Sequence, residues 1–232
     1  MAGRDITIKG PDGNFVAYLA SPTTGRGPGV TVIQEIFGVN AVVRSICDTH
    51  AALGRFALAP DLFWRLEPGV QLTDQADAEW KRAIDLMNRF DADKGVADIQ
   101  AAITHLRAVP GCSGKVGAVG YCLGGLLAYL TATCTDSDAT AGYYGLNIQN
   151  KLDEAKQIKR PLLLHIAAKD EFVPPEAQKK IMDALKTHPQ VTIHFYPEME
   201  YAFARRGGKH YDKANAELAN GRSETFFRQH LG

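Results

Sequence analysis

The sequence predicts a single α/β domain, with a mostly parallel sheet and helices on both of its faces. The chain has 232 residues, a length typical of one α/β domain. Short apolar runs alternate with segments of helical period, the pattern of strands connected by crossover helices. No Gly/Ser-rich linker, charge block or internal repeat divides the chain. These observations predict one doubly wound domain over residues 1–232.

The first half contains a predicted hairpin followed by strand–helix units. DITIK and FVAYLA flank the turn-rich PDGN, which predicts antiparallel pairing. PGVTVIQE and FALAPDLF are predicted buried strands, and the segment between them has an apolar helical face. The region from about Thr73 to Val109 is predicted to be helical, because its later part carries an apolar stripe at helical spacing: Val96, Ile99, Ile103 and Leu106.

The second half repeats the strand–helix alternation. KVGAVGY, ATAGYYG, PLLLHIAA and VTIHFYP are the predicted strands. A leucine-rich helix follows the first of them, and a second helix begins behind Pro174 and Pro175, where proline favours helix initiation. A final helix is predicted from about Tyr211 to Gln229.

Composition excludes several classes of partner and cofactor. Lys plus Arg equals Asp plus Glu at 26 each, so no net charge attracts nucleic acid or an anionic membrane. The first residues lack a signal-peptide pattern, and no apolar run approaches the roughly 18 residues of a membrane span. The four cysteines are expected to be free thiols in the cytoplasm. The Cys and His residues show no metal-ligand spacing and no loop has a phosphate-binding pattern, so neither a metal nor another cofactor is expected.

The stretch Gly120-Tyr121-Cys122-Leu123-Gly124 has the G-x-nucleophile-x-G form of a nucleophile elbow, with cysteine as the nucleophile. Small residues on either side allow a strand and a helix to approach closely around a strained turn. The helix then begins beneath the sulfur, where its amides favour a thiolate and an oxyanion. The alternative is a glycine-rich turn that holds a structural cysteine.

An elbow of this kind predicts an acid and then a base further along the chain. Asp170 follows the strand PLLLHIAA and is the candidate acid; a solvated loop carboxylate, or a cap of the next helix, is the alternative. The base is expected after VTIHFYP. That loop reads EMEYAFARRGG and contains no histidine before His210.

On these motifs the sequence resembles the dienelactone hydrolase family of the α/β-hydrolase superfamily. The likeness covers nearly the whole chain and comprises QEIFG at 34–38, PDLF at 60–63, GYCLGG at 120–125, AAKDEFVP at 167–174 and AFAR at 202–205. It implies an α/β-hydrolase fold and a Cys-His-Asp triad that hydrolyses esters and lactones, typically enol-lactones bearing a carboxylate. It also implies a monomer or a weak homodimer.

Individual roles follow from the resemblance by position. It implies Cys122 as the nucleophile, Asp170 as the triad acid and Glu35 as a carboxylate that helps to activate the thiol. The amides of Ile36 and Leu123 would bind the oxyanion. Arg205 would bind the substrate carboxylate; a surface salt bridge is the alternative role for that arginine.

Two positions depart from the family pattern. Tyr201 occupies the position of the triad histidine, and Trp80 occupies that of a second substrate-binding arginine. An ordinary phenol has a pKa of about 10, so it is a poor general base at neutral pH. We therefore expect impaired turnover unless Glu35 suffices for the thiol or His210 enters the site from its glycine-rich loop.

Three hypotheses remain open from the sequence. The first is an esterase or lactonase, active or impaired. The second is a non-catalytic protein that binds small carboxylates on the same scaffold. The third is a redox-responsive thiol protein, which is weakened because no resolving cysteine lies near Cys122 in sequence. Aromatic residues near the predicted strand ends suggest an apolar pocket with one cationic contact, and packing in the core is an equal alternative for each of them: Phe37, Trp64, Trp80, Tyr144, Phe172 and Phe203.

Overall fold

The computed structural model describes residues 3–232 and confirms the predicted α/β class. Within these residues, eight strands form a sheet in the order β1-β2-β4-β3-β5-β6-β7-β8. The strands are β1 (Arg4–Lys9), β2 (Asn14–Ala20), β3 (Gly27–Ile33), β4 (Phe56–Pro60), β5 (Cys112–Tyr121), β6 (Thr140–Tyr143), β7 (Leu162–Lys169) and β8 (Val191–Glu200). The helices are α1 (Ala41–Ala52), α2 (Asp77–Arg89), α3 (Ala92–Ala108), α4 (Leu123–Cys134), α5 (Pro175–Leu185) and α6 (Lys213–Leu231).

The chain forms two compact units, one ending at Ala118 and one running from Val119 to Gly232. In the first unit β1 and β2 form the predicted hairpin, with Lys9 opposite Asn14. Strand β2 also pairs antiparallel with β4, and β4 pairs parallel with β3. Helix α1 is capped by Asn40, whose side chain accepts hydrogen bonds from the amides of Val42 and Val43.

The helical region predicted over 73–109 is two helices rather than one. Helix α2 ends at Arg89, and the next residue, Phe90, has an extended backbone at φ −73° and ψ 131°. Asp91 then caps α3 by accepting from the amides of Asp93 and Lys94. The ring of Phe90 packs against Gly95, where an added Cβ would collide with the ring. The apolar stripe predicted the later helix correctly but does not reveal this break.

In the second unit β6, β7 and β8 are parallel neighbours. Helix α5 has a proline at its first position, as the paired prolines predict, and α6 is capped by Asp212, which accepts from the amide of Asn215. Two short 3₁₀ helices, Ile148–Asn150 and Leu152–Gln157, follow β6 and were not predicted. No helix within residues 3–232 has the length and apolar character needed to cross a membrane.

Candidate active site

Cys122 lies in the sharp turn that joins β5 to α4. Its backbone has φ 60° and ψ −118°, a conformation that residues other than glycine rarely adopt. The Cys122 amide donates a hydrogen bond to the Tyr143 carbonyl at 3.1 Å, and its own carbonyl accepts from the Gly125 amide at 2.9 Å. The turn therefore has the strained geometry that a nucleophile elbow requires.

The glycines around Cys122 allow the strand and helix to approach each other. A Cβ atom added to Gly120 would collide with the carbonyl group of Gly124, two residues beyond Cys122. A Cβ added to Gly125 would collide with the Tyr143 carbonyl and with the backbone of Gly145. This is the close approach that the spacing of the glycines predicts.

The first turn of α4 starts at Leu123, immediately after the thiol-bearing residue. Amides in the first turn of a helix have no acceptor within the helix and carry partial positive charge. They suit a thiolate and a developing oxyanion. No part of Cys122 is exposed to solvent in this structure.

Asp170 directly follows β7 and is only 5% exposed. One carboxylate oxygen accepts hydrogen bonds from the amides of Phe172 and Val173, at 2.9 and 3.2 Å. The side chain does not cap α5, whose N-cap residue is Pro174. Burial raises the pKa of Asp170 to about 6, against the opposing effect of the two amides. Asp170 therefore changes charge close to neutral pH.

Asp170 lines a small cavity within the second unit. Tyr144 and His165 also line it, and the remaining lining is apolar or glycine: Gly142, Gly145, Ile148, Leu164, Ile166, Val173 and Ile181. This largely apolar setting is the physical reason for the raised pKa, because it disfavours the ionised carboxylate.

Tyr201 follows the end of β8 and is buried among aromatic side chains. Its ring meets those of Tyr144 and Phe172 edge to face, with centroid distances of 5.5 and 4.7 Å. The guanidinium of Arg205, itself only 8% exposed, lies 5.7 Å from the centroid of the Tyr201 ring. The structure thus brings Tyr201 and Arg205 together. In the described chain, the hydrogen bonds to Asp170 come from backbone amides rather than from the Tyr201 phenol.

His210 is engaged within its own loop. Its Nδ1 lies 3.2 Å from the Tyr201 carbonyl oxygen, and its Nε2 lies 3.2 Å from a carboxylate oxygen of Glu200. Both ring nitrogens therefore have partners at the base of the loop that carries Tyr201 and Arg205. This arrangement disfavours His210 as a substitute base, because the ring would have to give up both contacts.

The motifs QEIFG and PDLF meet in the first unit. The Gln34 side chain accepts from the Leu62 amide at 3.0 Å and donates to the Glu35 carbonyl at 3.3 Å. The Phe37 carbonyl accepts from the Leu72 amide at 2.9 Å. The Glu35 and Ile36 residues between these anchors are buried. The candidate oxyanion segment is therefore fixed on both sides.

Trp80 lies in the first turn of α2 and is partly exposed. Its ring centroid is 5.7 Å from that of Phe37, the residue after Ile36. An indole surface thus lies beside the candidate oxyanion segment, at the position where the family resemblance implies an arginine.

Comparison with known proteins identifies the family. The model of the dienelactone hydrolase family matches residues 15–231. The chain belongs to the dienelactone hydrolase family. A protein of Azospirillum brasilense is 49% identical over 98% of this chain and 99% of its own length. The carboxymethylenebutenolidase of Pseudomonas putida is 37% identical over 97% of this chain and 96% of its own length.

A solved structure agrees with this assignment. A Klebsiella pneumoniae protein superimposes with a TM-score of 0.86 at 26% identity, covering 98% of each chain. Together with the sheet order, the likeness shows an α/β-hydrolase fold. As a member of the dienelactone hydrolase family this chain is a hydrolase, and a small-molecule ester or lactone is the kind of substrate that the family implies.

Two contacts of Tyr201 were not predicted as such. Tyr144 and Phe172 appear in the sequence only as aromatic residues near strand ends, yet the structure packs both against the Tyr201 ring. These contacts join distant parts of the chain, so no local pattern signals them. No cluster of three or more His, Cys, Asp or Glu side chains able to hold a metal ion occurs within residues 3–232.

Proposed function

We propose that this hydrolase cleaves carboxylic esters or lactones through a thioester on Cys122, and that Tyr201 makes release of the acyl group slow. The observation that carries the proposal is the strained turn at Cys122, a cysteine with φ 60° directly before α4. Such strain persists only where the surrounding structure maintains it, and it is typical of functional sites.

In the first half of the reaction, Cys122 loses its proton and its sulfur attacks the acyl carbon. Glu35 accepts that proton, as the family resemblance implies, and the amides of Ile36 and Leu123 stabilise the oxyanion. The carbon–oxygen bond then breaks, the proton passes to the departing alkoxide, and a thioester remains. Cysteine needs less help from a base than serine does, so this half proceeds without histidine.

In the second half a water molecule attacks the thioester and loses a proton, which passes to the departing Cys122 sulfur as the carbon–sulfur bond breaks and the acid leaves. A general base speeds this proton transfer. An imidazole supported by Asp170 would supply this general-base step in the family pattern. The residue at that position is Tyr201, whose ring packs against aromatic neighbours. General-base catalysis contributes about 10²–10⁴-fold to a rate. Without a histidine at this position, hydrolysis of the thioester is therefore the step that slows.

The two candidate substrate contacts suggest the kind of molecule that binds. Arg205 presents a planar cation suited to a carboxylate, and Trp80 presents an apolar surface in place of a second cation. We infer a small ester or lactone with one carboxylate and an apolar portion. No cofactor takes part in this scheme, and a monomer or weak homodimer remains the expected form.

Mass spectrometry of the mixed protein and p-nitrophenyl acetate tests the proposal. We expect a mass increase equal to one acetyl group, which peptide digestion assigns to Cys122. The variant Cys122→Ala should lose the adduct, whereas Cys134→Ala should retain it, because Cys134 is an exposed thiol in a different part of the unit. Absence of a Cys122 adduct, together with an unchanged hydrolysis rate in Cys122→Ala, would rule the proposal out.

A second candidate function is non-catalytic binding of small carboxylates. It is favoured by Tyr201 at the base position and by His210, whose ring nitrogens are already engaged with Glu200 and the Tyr201 carbonyl. Thermal-shift measurements with benzoate and short aliphatic carboxylates separate the two functions. Stabilisation that Arg205→Ala removes, without any ester hydrolysis, supports binding alone.

A further inference from the structure

A buried polar cluster of Tyr143, His165, Tyr196 and Ser223, here called the His165 cluster, lies within the second unit. His165 Nε2 is 2.9 Å from the Ser223 hydroxyl oxygen and Nδ1 is 2.8 Å from the Tyr196 hydroxyl oxygen. The Tyr143 and Ser223 hydroxyl oxygens are 2.7 Å apart. Four side chains from β6, β7, β8 and α6 thus form one hydrogen-bonded chain.

The side chains of the cluster are buried, and their polar groups form hydrogen bonds with one another. The rings of Tyr143 and His165 are in contact, tilted by 33° with centroids 4.2 Å apart. The Tyr143 hydroxyl also donates toward the Ala219 carbonyl at 3.2 Å. In such an environment hydrogen bonds are strong and directional, so they fix the positions of the groups that they join.

Backbone hydrogen bonds at the end of β6 connect the His165 cluster to the Cys122 turn. The Tyr143 carbonyl accepts the Cys122 amide at 3.1 Å, and the Tyr144 amide donates to the His165 carbonyl at 2.8 Å. Gly125 of α4 approaches the Tyr143 carbonyl so closely that a Cβ atom would collide with it. Tyr144 has φ 36°, so the end of β6 is itself strained and must be held in place.

We propose that the His165 cluster is a positioning device for the elbow: by fixing Tyr143 it fixes the carbonyl that holds the Cys122 amide. His165, Ser223 and the Tyr143 hydroxyl act through the backbone and contact no substrate. Ser223 is the central member, because its hydroxyl joins the imidazole of β7 to the phenol of β6. The catalytic consequence rests on the proposed role of Cys122 as nucleophile, whereas the structural link does not.

The variant Ser223→Ala tests this inference, with Thr225→Ala as its matched control. Both remove a hydroxyl from α6, but the Thr225 hydroxyl is exposed and bonds only within the helix, to the Gly221 carbonyl at 3.0 Å. Hydrogen exchange followed by NMR should show the Cys122 amide exchanging about 10-fold faster in Ser223→Ala. The amide of Ala128, in the interior of α4, serves as the internal reference and should not change.

The same variants are mixed with p-nitrophenyl acetate to follow acylation. Misplacement of a reacting group by about 1 Å can cost about 10²-fold in rate, so we expect acylation of Cys122 in Ser223→Ala to slow about 10-fold at saturating ester. The half-saturating ester concentration should stay within twofold. Tyr143→Phe removes one hydroxyl but keeps the ring that contacts His165. It should also speed exchange of the Cys122 amide and slow acylation of Cys122.

The outcomes separate this inference from the proposed function. Unchanged Cys122 exchange and acylation in both Ser223→Ala and Tyr143→Phe would overturn the inference, even if their thermal stability fell. Equal acceleration of Cys122 and Ala128 exchange would overturn it as well, because the cluster would then only stabilise the fold. If the unsubstituted protein forms no adduct, the proposed function fails, and the exchange measurement still decides the structural link.

Discussion

At the scale of single residues, the ionised carboxylate of Asp170 in the candidate site lowers the stability of the folded protein. Its carboxyl has a pKa of about 6 in the fold because of burial, compared with 3.8 for an ordinary aspartate. Above pH 6 the folded chain holds an ionised group in a setting that disfavours charge. Ionisation therefore favours the unfolded state as the pH rises from 3.8 to 6, and the cost is complete above that range.

The variant Asp170→Asn should make the protein more stable at pH 7. The amide keeps the shape and accepts the same two backbone hydrogen bonds without carrying charge. The difference in pKa corresponds to at most about 3 kcal/mol at pH 7, and the gain should disappear near pH 4, where aspartate is protonated in the folded chain. Urea unfolding at the two pH values measures this difference.

The neighbouring residue provides the control for Asp170→Asn. Glu171 is exposed, so Glu171→Gln should change the free energy of unfolding by no more than about 0.5 kcal/mol at either pH. An Asp170→Asn variant that is less stable than the parent at pH 7 would mean that the carboxylate is a net stabilising group. The present explanation of its raised pKa would then be wrong.

At the scale of elements, the turn between β5 and α4 depends on glycine at particular positions. Gly120 faces the carbonyl group of Gly124, so any side chain there forces the strand and helix apart. Gly221, in α6, has open space around its Cα. The same substitution at the two glycines therefore has opposite consequences.

We expect Gly120→Ala to reduce the free energy of unfolding by about 3 kcal/mol, as overpacking does, and to lower the rate of Cys122 acylation. Gly221→Ala should raise stability by about 0.5–1 kcal/mol, because alanine is the better helix former. Chemical denaturation of both variants measures these changes. Wild-type stability in Gly120→Ala would show that the turn tolerates a wider separation than the structure indicates.

The elements also show why part of the site could be predicted from the sequence. The elbow is encoded within five consecutive residues, Gly120 to Gly124, and its context of an apolar strand and a leucine-rich helix is equally local. The packing of Tyr201 depends on Tyr144 and Phe172, which are far away in sequence. Single residues such as Ser223 give no signal at all before the fold brings them to His165.

For the molecule as a whole, the alternation of strands and helices predicted the α/β class and most of the elements. The break between α2 and α3 was not predicted, because the apolar stripe does not mark it; in the structure Asp91 caps α3 and the Phe90 ring packs against Gly95. The number of independently folding units remains a prediction: the sequence suggests one domain, and the structure divides into two compact units after Ala118. A single cooperative transition in calorimetry is the result that one domain requires.

The central claim is that Cys122 is acylated readily and that Tyr201 slows only the release of the acyl group. Rapid mixing with p-nitrophenyl acetate measures both steps. We predict a burst of one p-nitrophenol per protein followed by a slow phase, which Tyr201→His accelerates about 100-fold without changing the burst amplitude. A reaction without a burst, or a slow phase that Tyr201→His leaves unchanged or lowers, would contradict the claim.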